Sequence, residues 1–190
     1  TIYPIPAQPT VQGNNPICGS GSLTLTGTPA AEATICRWIN GNDTTTNNSF
    51  STGELTETTT YYVQSFHASR GCASENLAVT VVVNTLPNAP QTANDTQCLG
   101  TPVTLTATAT DNTIVRWYAS AQDNTILYEG AEYHPTNLIV GENNFYASLF
   151  DTLTQCTSAS RSVATATMID APAIPNVADT AHCGPAAFTL

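Results

Sequence analysis

The chain has no lysine, and its basic residues are Arg37, Arg70, Arg116 and Arg161 alone, within a formal net charge of -10. Such a surface repels phosphate backbones, so no nucleic-acid partner is expected. No apolar run approaches the roughly 20 residues of a membrane-spanning helix, and no membrane insertion is expected either. No stretch keeps a 3.6-residue period, which argues against helices. There is no Cys-x-x-Cys pair, and His67, His134 and His182 do not cluster, so zinc has little support. The acidic residues are scattered and do not recur at matched positions between copies, as facing glycosidase carboxylates would have to. No Ser, His and Asp arrangement is recognisable. The chain reads as a non-enzyme. With 41% hydrophobic and only 9% charged residues it can still bury cores, beneath an uncharged surface rich in Thr, Ser and Asn.

What the chain does have is repetition. Cys18, Leu23, Leu25, Trp38 and Cys72 return in order as Cys98, Val103, Leu105, Trp117 and Cys156, and Cys183, Phe188 and Leu190 open a third copy. Pro6-Ala-Gln-Pro9 returns as Pro87-Asn-Ala-Pro90 and again as Pro172-Ala-Ile-Pro175. A period of about 80 residues, each copy with its own Cys, Trp and Cys, indicates tandem small domains. The expected division is the end of a preceding repeat over 1–5, repeats over 6–86 and 87–171, and the start of a third over 172–190. Both ends then read as cuts through neighbouring copies of a longer array, with Thr1-Ile-Tyr-Pro4 the tail of a copy and not a signal peptide.

Within each copy the pattern is all-β. Ser22-Leu-Thr-Leu-Thr26 and Pro102-Val-Thr-Leu-Thr-Ala-Thr108 alternate with period two, placing Leu23, Leu25, Val103, Leu105 and Ala107 on a core face. Segments 34–39 and 113–118, 60–66 and 144–150, then 77–83 and 162–168 continue the series, rich in β-branched and aromatic residues. About seven short strands in each copy fit tandem immunoglobulin-like β-sandwich domains.

In each copy one Cys precedes the first of these strands and another follows the Tyr-rich strand. That order suggests one disulfide per repeat, Cys18 to Cys72 and Cys98 to Cys156, with Cys183 awaiting a partner beyond Leu190. Each bond would stabilise its small domain by about 4 kcal/mol in the chain-entropy model. Disulfides require an oxidising compartment, so the expected location is extracellular. Cys36 is left over. Its counterpart is Val115, which favours a buried, inert thiol over a reactive or intermolecular one.

Trp38 and Trp117 read as core residues between the sheets, with Arg37 and Arg116 packing outward over neighbours. Tyr62 and Tyr146 correspond, and suit either a tyrosine-corner hydrogen bond or a sheet surface. No cofactor is expected. Calcium at domain junctions is the strongest metal option, since Asp95 and Asp179 occupy analogous positions after the linkers and Asn14 or Asn15 stands there in the first copy.

The order Pro-x-x-Pro, Cys, Val-Thr-Leu-Thr, Arg-Trp-Tyr, a Gly- and Thr-rich middle, Tyr-Tyr-Val and a second Cys resembles the Ig-like repeats of giant secreted Bacteroidetes surface adhesins. The second copy matches best, through Trp117-Tyr118, Leu127-Tyr-Glu-Gly130, Tyr133-His-Pro-Thr-Asn-Leu138 and Asn144-Phe-Tyr146; the first has a shorter middle and the extra Cys36. The resemblance implies export by the type IX secretion machinery, a bacterial cell-surface location and adhesins that include those of gliding motility. It also implies O-glycosylation at Asp-Thr followed by a small or aliphatic residue or Thr, hence at Thr44, Thr152 and Thr180, all in predicted loops or linkers. Neighbouring Ig-like repeats of the same chain are the expected partners.

Two readings of function follow. Repeated sandwiches joined by Pro-containing linkers make a stalk that holds an adhesive region away from the cell. Alternatively the repeats bind a surface polysaccharide through exposed aromatics near Tyr118, Tyr128 or Tyr133. A spacer attached to a secreted hydrolase is a third possibility.

Overall fold

The computed structural model describes residues 2–173 and 175–176. These form two β-sandwiches in succession, all-β throughout, with no helix among the described residues. The expected opening of a third repeat, with Cys183, Asp179 and Thr180, lies outside the described residues.

In the first sandwich one layer has Thr24–Thr28 between Thr10–Gln12 and Ser49–Ser51. The other runs from Asp43–Thr46 through Ile35–Asn40 to Thr59–His67, which also pairs with Cys72–Ala73 and Leu77–Val81. The N-terminal segment serves both layers. Thr10–Gln12 lies antiparallel to Thr24–Thr28, and Ile17–Cys18 then runs parallel to Val83–Asn84. Gly13 makes the crossing possible: its φ is +89°, and a Cβ there would sit 2.5 Å from the Thr24 carbonyl oxygen.

The second sandwich repeats the plan. Leu105–Ala107 lies between Thr92–Ala93 and Glu132–Tyr133. The facing sheet runs Asp95–Cys98, Ser162–Ile169, Gly141–Asp151, Thr113–Tyr118 and Tyr128–Glu129, with Asp95–Cys98 parallel to Ser162–Ile169.

Alternation fills both cores. Leu25, Trp38, Val63 and Val81 are fully buried in the first, as are Leu105, Trp117, Leu149 and Val115 in the second; each buried aliphatic side chain contributes roughly 1.5–3 kcal/mol. Leu23 is only half-buried, at the margin of its cluster. Each Trp keeps its indole N–H satisfied, Trp38 donating to the Asn47 carbonyl at 2.8 Å and Trp117 to the Gly130 carbonyl at 2.9 Å. The two arginines lie outward over rings, Arg37 at 4.5 Å from the Phe66 centroid and Arg116 at 3.5 Å from that of Phe150. Tyr62 faces outward on the sheet, and its neighbour Tyr61 is buried, its hydroxyl donating to the Thr52 carbonyl at 3.3 Å.

The disulfide pairing differs from the expected one. Cys18 is bonded to Cys156, in the other repeat, and Cys72 and Cys98 have no disulfide partner among the described residues. Strand length explains why. Cys18 lies opposite Asn84, at the end of its sandwich where the last strand leaves. Cys72 pairs with His67 at the far end of the strand that starts at Thr59 opposite Val81. A nine-residue strand separates them by roughly 25 Å, whereas a disulfide needs Cα atoms within about 7 Å. Cys98 and Cys156 are held apart in the same way by the 11-residue strand Gly141–Asp151. The expectation that Thr44 lies in a loop is also corrected: it sits on the edge strand Asp43–Thr46, opposite Ile39.

Candidate functional site: the junction between repeats

The junction is built from the end of one sandwich and the beginning of the next. On the first repeat, Gly19 donates its backbone N–H to the Asn84 carbonyl at 2.8 Å, fixing the turn after Cys18 against the last strand. Leu86 of the linker covers Gly19 so closely that a Cβ there would meet its side chain at 3.0 Å. On the second repeat, the linker is pinned as soon as it arrives. Ser162 donates its hydroxyl to the Pro90 carbonyl, and Thr108 its N–H to the Gln91 carbonyl at 2.9 Å.

Cys156 is presented by the hairpin turn after Gly141–Asp151. The Asp151 carboxylate accepts the N–H groups of Thr154 at 3.1 Å and Leu153 at 2.8 Å, and these donors, Thr154 foremost, hold its pKa below the ordinary value. Gln155 takes φ +61° to close the turn, and the Asp151 N–H then reaches the Cys156 carbonyl at 2.8 Å. Cys156 is fully buried, bonded to Cys18 with Cα atoms 5.6 Å apart across a sequence separation of 138. The arrangement can do one thing chemically: it ties the two sandwiches together beside the linker.

The remaining candidates are dispersed. Cys36 is buried and unpaired among the described residues, and desolvation pushes its thiol pKa up, away from the reactive thiolate. Thr44 is exposed; Thr152 is exposed in the junction hairpin, with its hydroxyl donating to the Asn112 carbonyl at 3.0 Å. The Asp95 carboxylate accepts the Thr104 N–H at 2.9 Å and the Gln97 amide at 3.0 Å; the backbone donor is the main reason its pKa is lowered. Among the described residues no three His, Cys, Asp or Glu side chains converge as metal ligands would.

Of the three aromatics considered for sugar stacking, Tyr118 is buried beneath the Arg161 guanidinium, 3.5 Å from its ring centroid. Tyr133 is stacked between Trp117 and Tyr128, at 5.5 and 5.8 Å, leaving Tyr128 as the exposed end of the column. A hollow of about 500 Å³ opens at the opposite end of the second repeat from the junction, lined by Leu99, Pro102, Val103, His134, Leu138 and Met168. His134 there is engaged with Thr104 Oγ1 at 3.1 Å.

The model of the family described as Ig-like domain CHU_C associated matches twice, over residues 6–84 and 87–169. The chain belongs to this family of Ig-like domains. Among solved structures, the fibronectin(III)-like modules of Clostridium thermocellum CbhA are similar at 14% identity, with 90% of this chain and 100% of that chain covered and a TM-score of 0.45. Titin domains A168–A170 are similar at 16% identity, covering 87% of this chain and 67% of that one, with a TM-score of 0.44. No curated protein matches the chain in sequence. Among the described residues, no helix is long and apolar enough to cross a membrane. Two tandem Ig-like domains held by a disulfide are a structural module of a kind suited to an extracellular setting.

Proposed function

We propose that these Ig-like repeats are a stalk segment of a long cell-surface adhesin, extending an adhesive region away from a bacterial cell. The Cys18–Cys156 bond carries this reading, because it joins one sandwich to the next at the linker. A flexible linker alone lets two domains swing; a second covalent tie beside it restricts bending and keeps the pair extended. The surface suits the role: low in charge and rich in Thr, with no converging metal ligands among the described residues. The stalk reading carries with it export by the type IX secretion machinery, membership among the adhesins of gliding motility, and O-glycosylation at the exposed Thr44 and Thr152.

The second reading, polysaccharide binding by the repeats themselves, draws on the exposed ring of Tyr128 at the end of its aromatic column. A glycan array probed with the two-repeat chain separates the two. The stalk reading expects no selective binding, and selective binding lost in Tyr128→Ala would overturn it. Deleting the two repeats from the parent protein is expected to leave adhesion intact and shorten its reach; loss of adhesion with normal surface display would likewise count against the stalk.

A further inference from the structure

Cys72 and Cys98 hold the same places in their repeats as the two bonded cysteines hold in theirs. Cys98 lies in a strand parallel to the last strand of its sandwich, opposite Ile169, as Cys18 lies opposite Asn84. The Leu99 N–H reaches the Ile169 carbonyl at 2.8 Å, the distance from the Gly19 N–H to the Asn84 carbonyl. Cys72 follows a turn closed by Gly71 at φ +68°, as Cys156 follows one closed by Gln155 at φ +61°. Cys72 and Cys98 therefore sit at the two outer ends of the pair, Cys98 exposed and Cys72 half-buried. Beside Cys98 the apolar ground around Leu99 lies open as the hollow, whereas the matching ground at Gly19 is covered by linker residue Leu86.

We propose that Cys72 and Cys98 are halves of the same junction cross-link, each disulfide-bonded to an adjoining repeat of the same chain, Cys72 to the preceding one and Cys98 to the following one. The inference rests on the reading of the chain as part of a consecutive array. Each bond forms from two thiols, which give up two protons and two electrons. A disulfide oxidant of the compartment into which the protein is exported accepts both and leaves as the dithiol.

The connectivity has a mechanical consequence. Cys72 and Cys98 are 26 residues apart in sequence, and Cys156 and Cys183 are 27 apart. With every junction bonded, a covalent path enters a repeat at its Cys72-type residue, follows the chain through the linker to the next Cys98-type residue, and crosses a disulfide into the repeat beyond. Each such path advances two repeats per 26 or 27 residues, and a second path runs beside it, one repeat out of step. At a maximum of about 3.3–3.6 Å per residue, each path limits two repeats to roughly 90–100 Å even with their cores unfolded. Without the bonds two unfolded repeats would extend roughly sixfold further. The array is then a filament that tension cannot lengthen by unfolding its domains.

The test is trypsin digestion of the full-length native protein without reduction, after blocking free thiols. The peptide 71–116, which contains both Cys72 and Cys98, is expected to be linked to two cysteine peptides from repeats outside this pair. Its recovery with blocked thiols, with a Cys72–Cys98 bond, or joined to the peptides that hold Cys18 or Cys156 would overturn the proposal. Peptides from flanking repeats in the same digest report on the array independently. Their presence with Cys72 and Cys98 blocked removes the cross-link and leaves the stalk, while their absence removes both.

Discussion

The two repeats share a plan and differ in how they carry it out. In the second, Ala107 and Val115 share the buried core cluster; in the first the corresponding residues are Gly27 and Cys36, and a Cβ on Gly27 would lie 2.7 Å from the Cys36 sulfur. The extra cysteine is thus accommodated by the loss of a methyl group across from it. Outward, Arg116 pairs with Glu129 at 2.8 Å, whereas Arg37 is held by the neutral Gln64 at 3.0 Å. At the turns, the second repeat holds the Asp123 and Asp151 carboxylates below their ordinary pKa through backbone N–H donors, as it does Asp95. Cores of this kind tolerate compensated exchange, while the positions that face the neighbouring repeat keep their cysteines.

The largest effect is expected from cutting what joins the two. Cys156→Ser should lower the stability of the pair against denaturant by up to about 5 kcal/mol, the chain-entropy value for so long a loop, and widen the range of angles between the sandwiches in small-angle scattering. Unchanged unfolding and scattering would separate the bond from the architecture. Gly27→Ala should destabilise the first repeat by about 1–3 kcal/mol through overpacking. Adding Cys36→Ala should recover part of that loss, a coupling read from a double-mutant cycle, whereas Ala107→Gly in the second repeat has no sulfur to relieve and should only destabilise.

The β-sandwich class and the core were legible because alternation and a buried Trp are local signals: Leu25, Leu105, Trp38 and Trp117 could be placed from spacing alone. The disulfide was not, because the aligned copies associate Cys18 with Cys72 by order and carry no record of which end of a sandwich each occupies. The one hint was the length of the strand between them, since a Tyr-rich strand of nine or more residues carries its ends too far apart to be bridged. Thr44 was misplaced for a related reason: a Thr run beside Gly41-Asn42-Asp43 reads as a turn, and only pairing with Ile35–Asn40 makes it an edge strand.

Acid should act on the turns of the second repeat. A carboxylate with a depressed folded-state pKa contributes stability that is present above its unfolded value and lost as pH falls through the folded one. As pH drops below about 4, the second repeat should therefore lose stability, read from the fluorescence of Trp117 in a Trp38→Phe variant. Stability of this repeat that does not fall between about pH 5 and pH 2 would contradict the role given to these carboxylates. The smallest effect is expected from Glu129→Gln, which gives the second repeat a neutral partner for Arg116 and should cost less than about 1 kcal/mol, as exposed ion pairs do. It should also remove whatever salt dependence distinguishes the two repeats in denaturation.

The bond between repeats is tested most directly by trypsin digestion of the 190-residue chain without reduction. Cleavage after its four arginines places Cys18 and Cys36 in peptide 1–37, Cys72 and Cys98 together in 71–116, and Cys156 in 117–161, and fragmentation of the linked species assigns the bond to Cys18 and not Cys36. A Cys18–Cys156 bond predicts a species joining 1–37 to 117–161 with 71–116 released from both. A species in which 71–116 is bonded to each of the other two, as one disulfide within each repeat requires, would contradict the account.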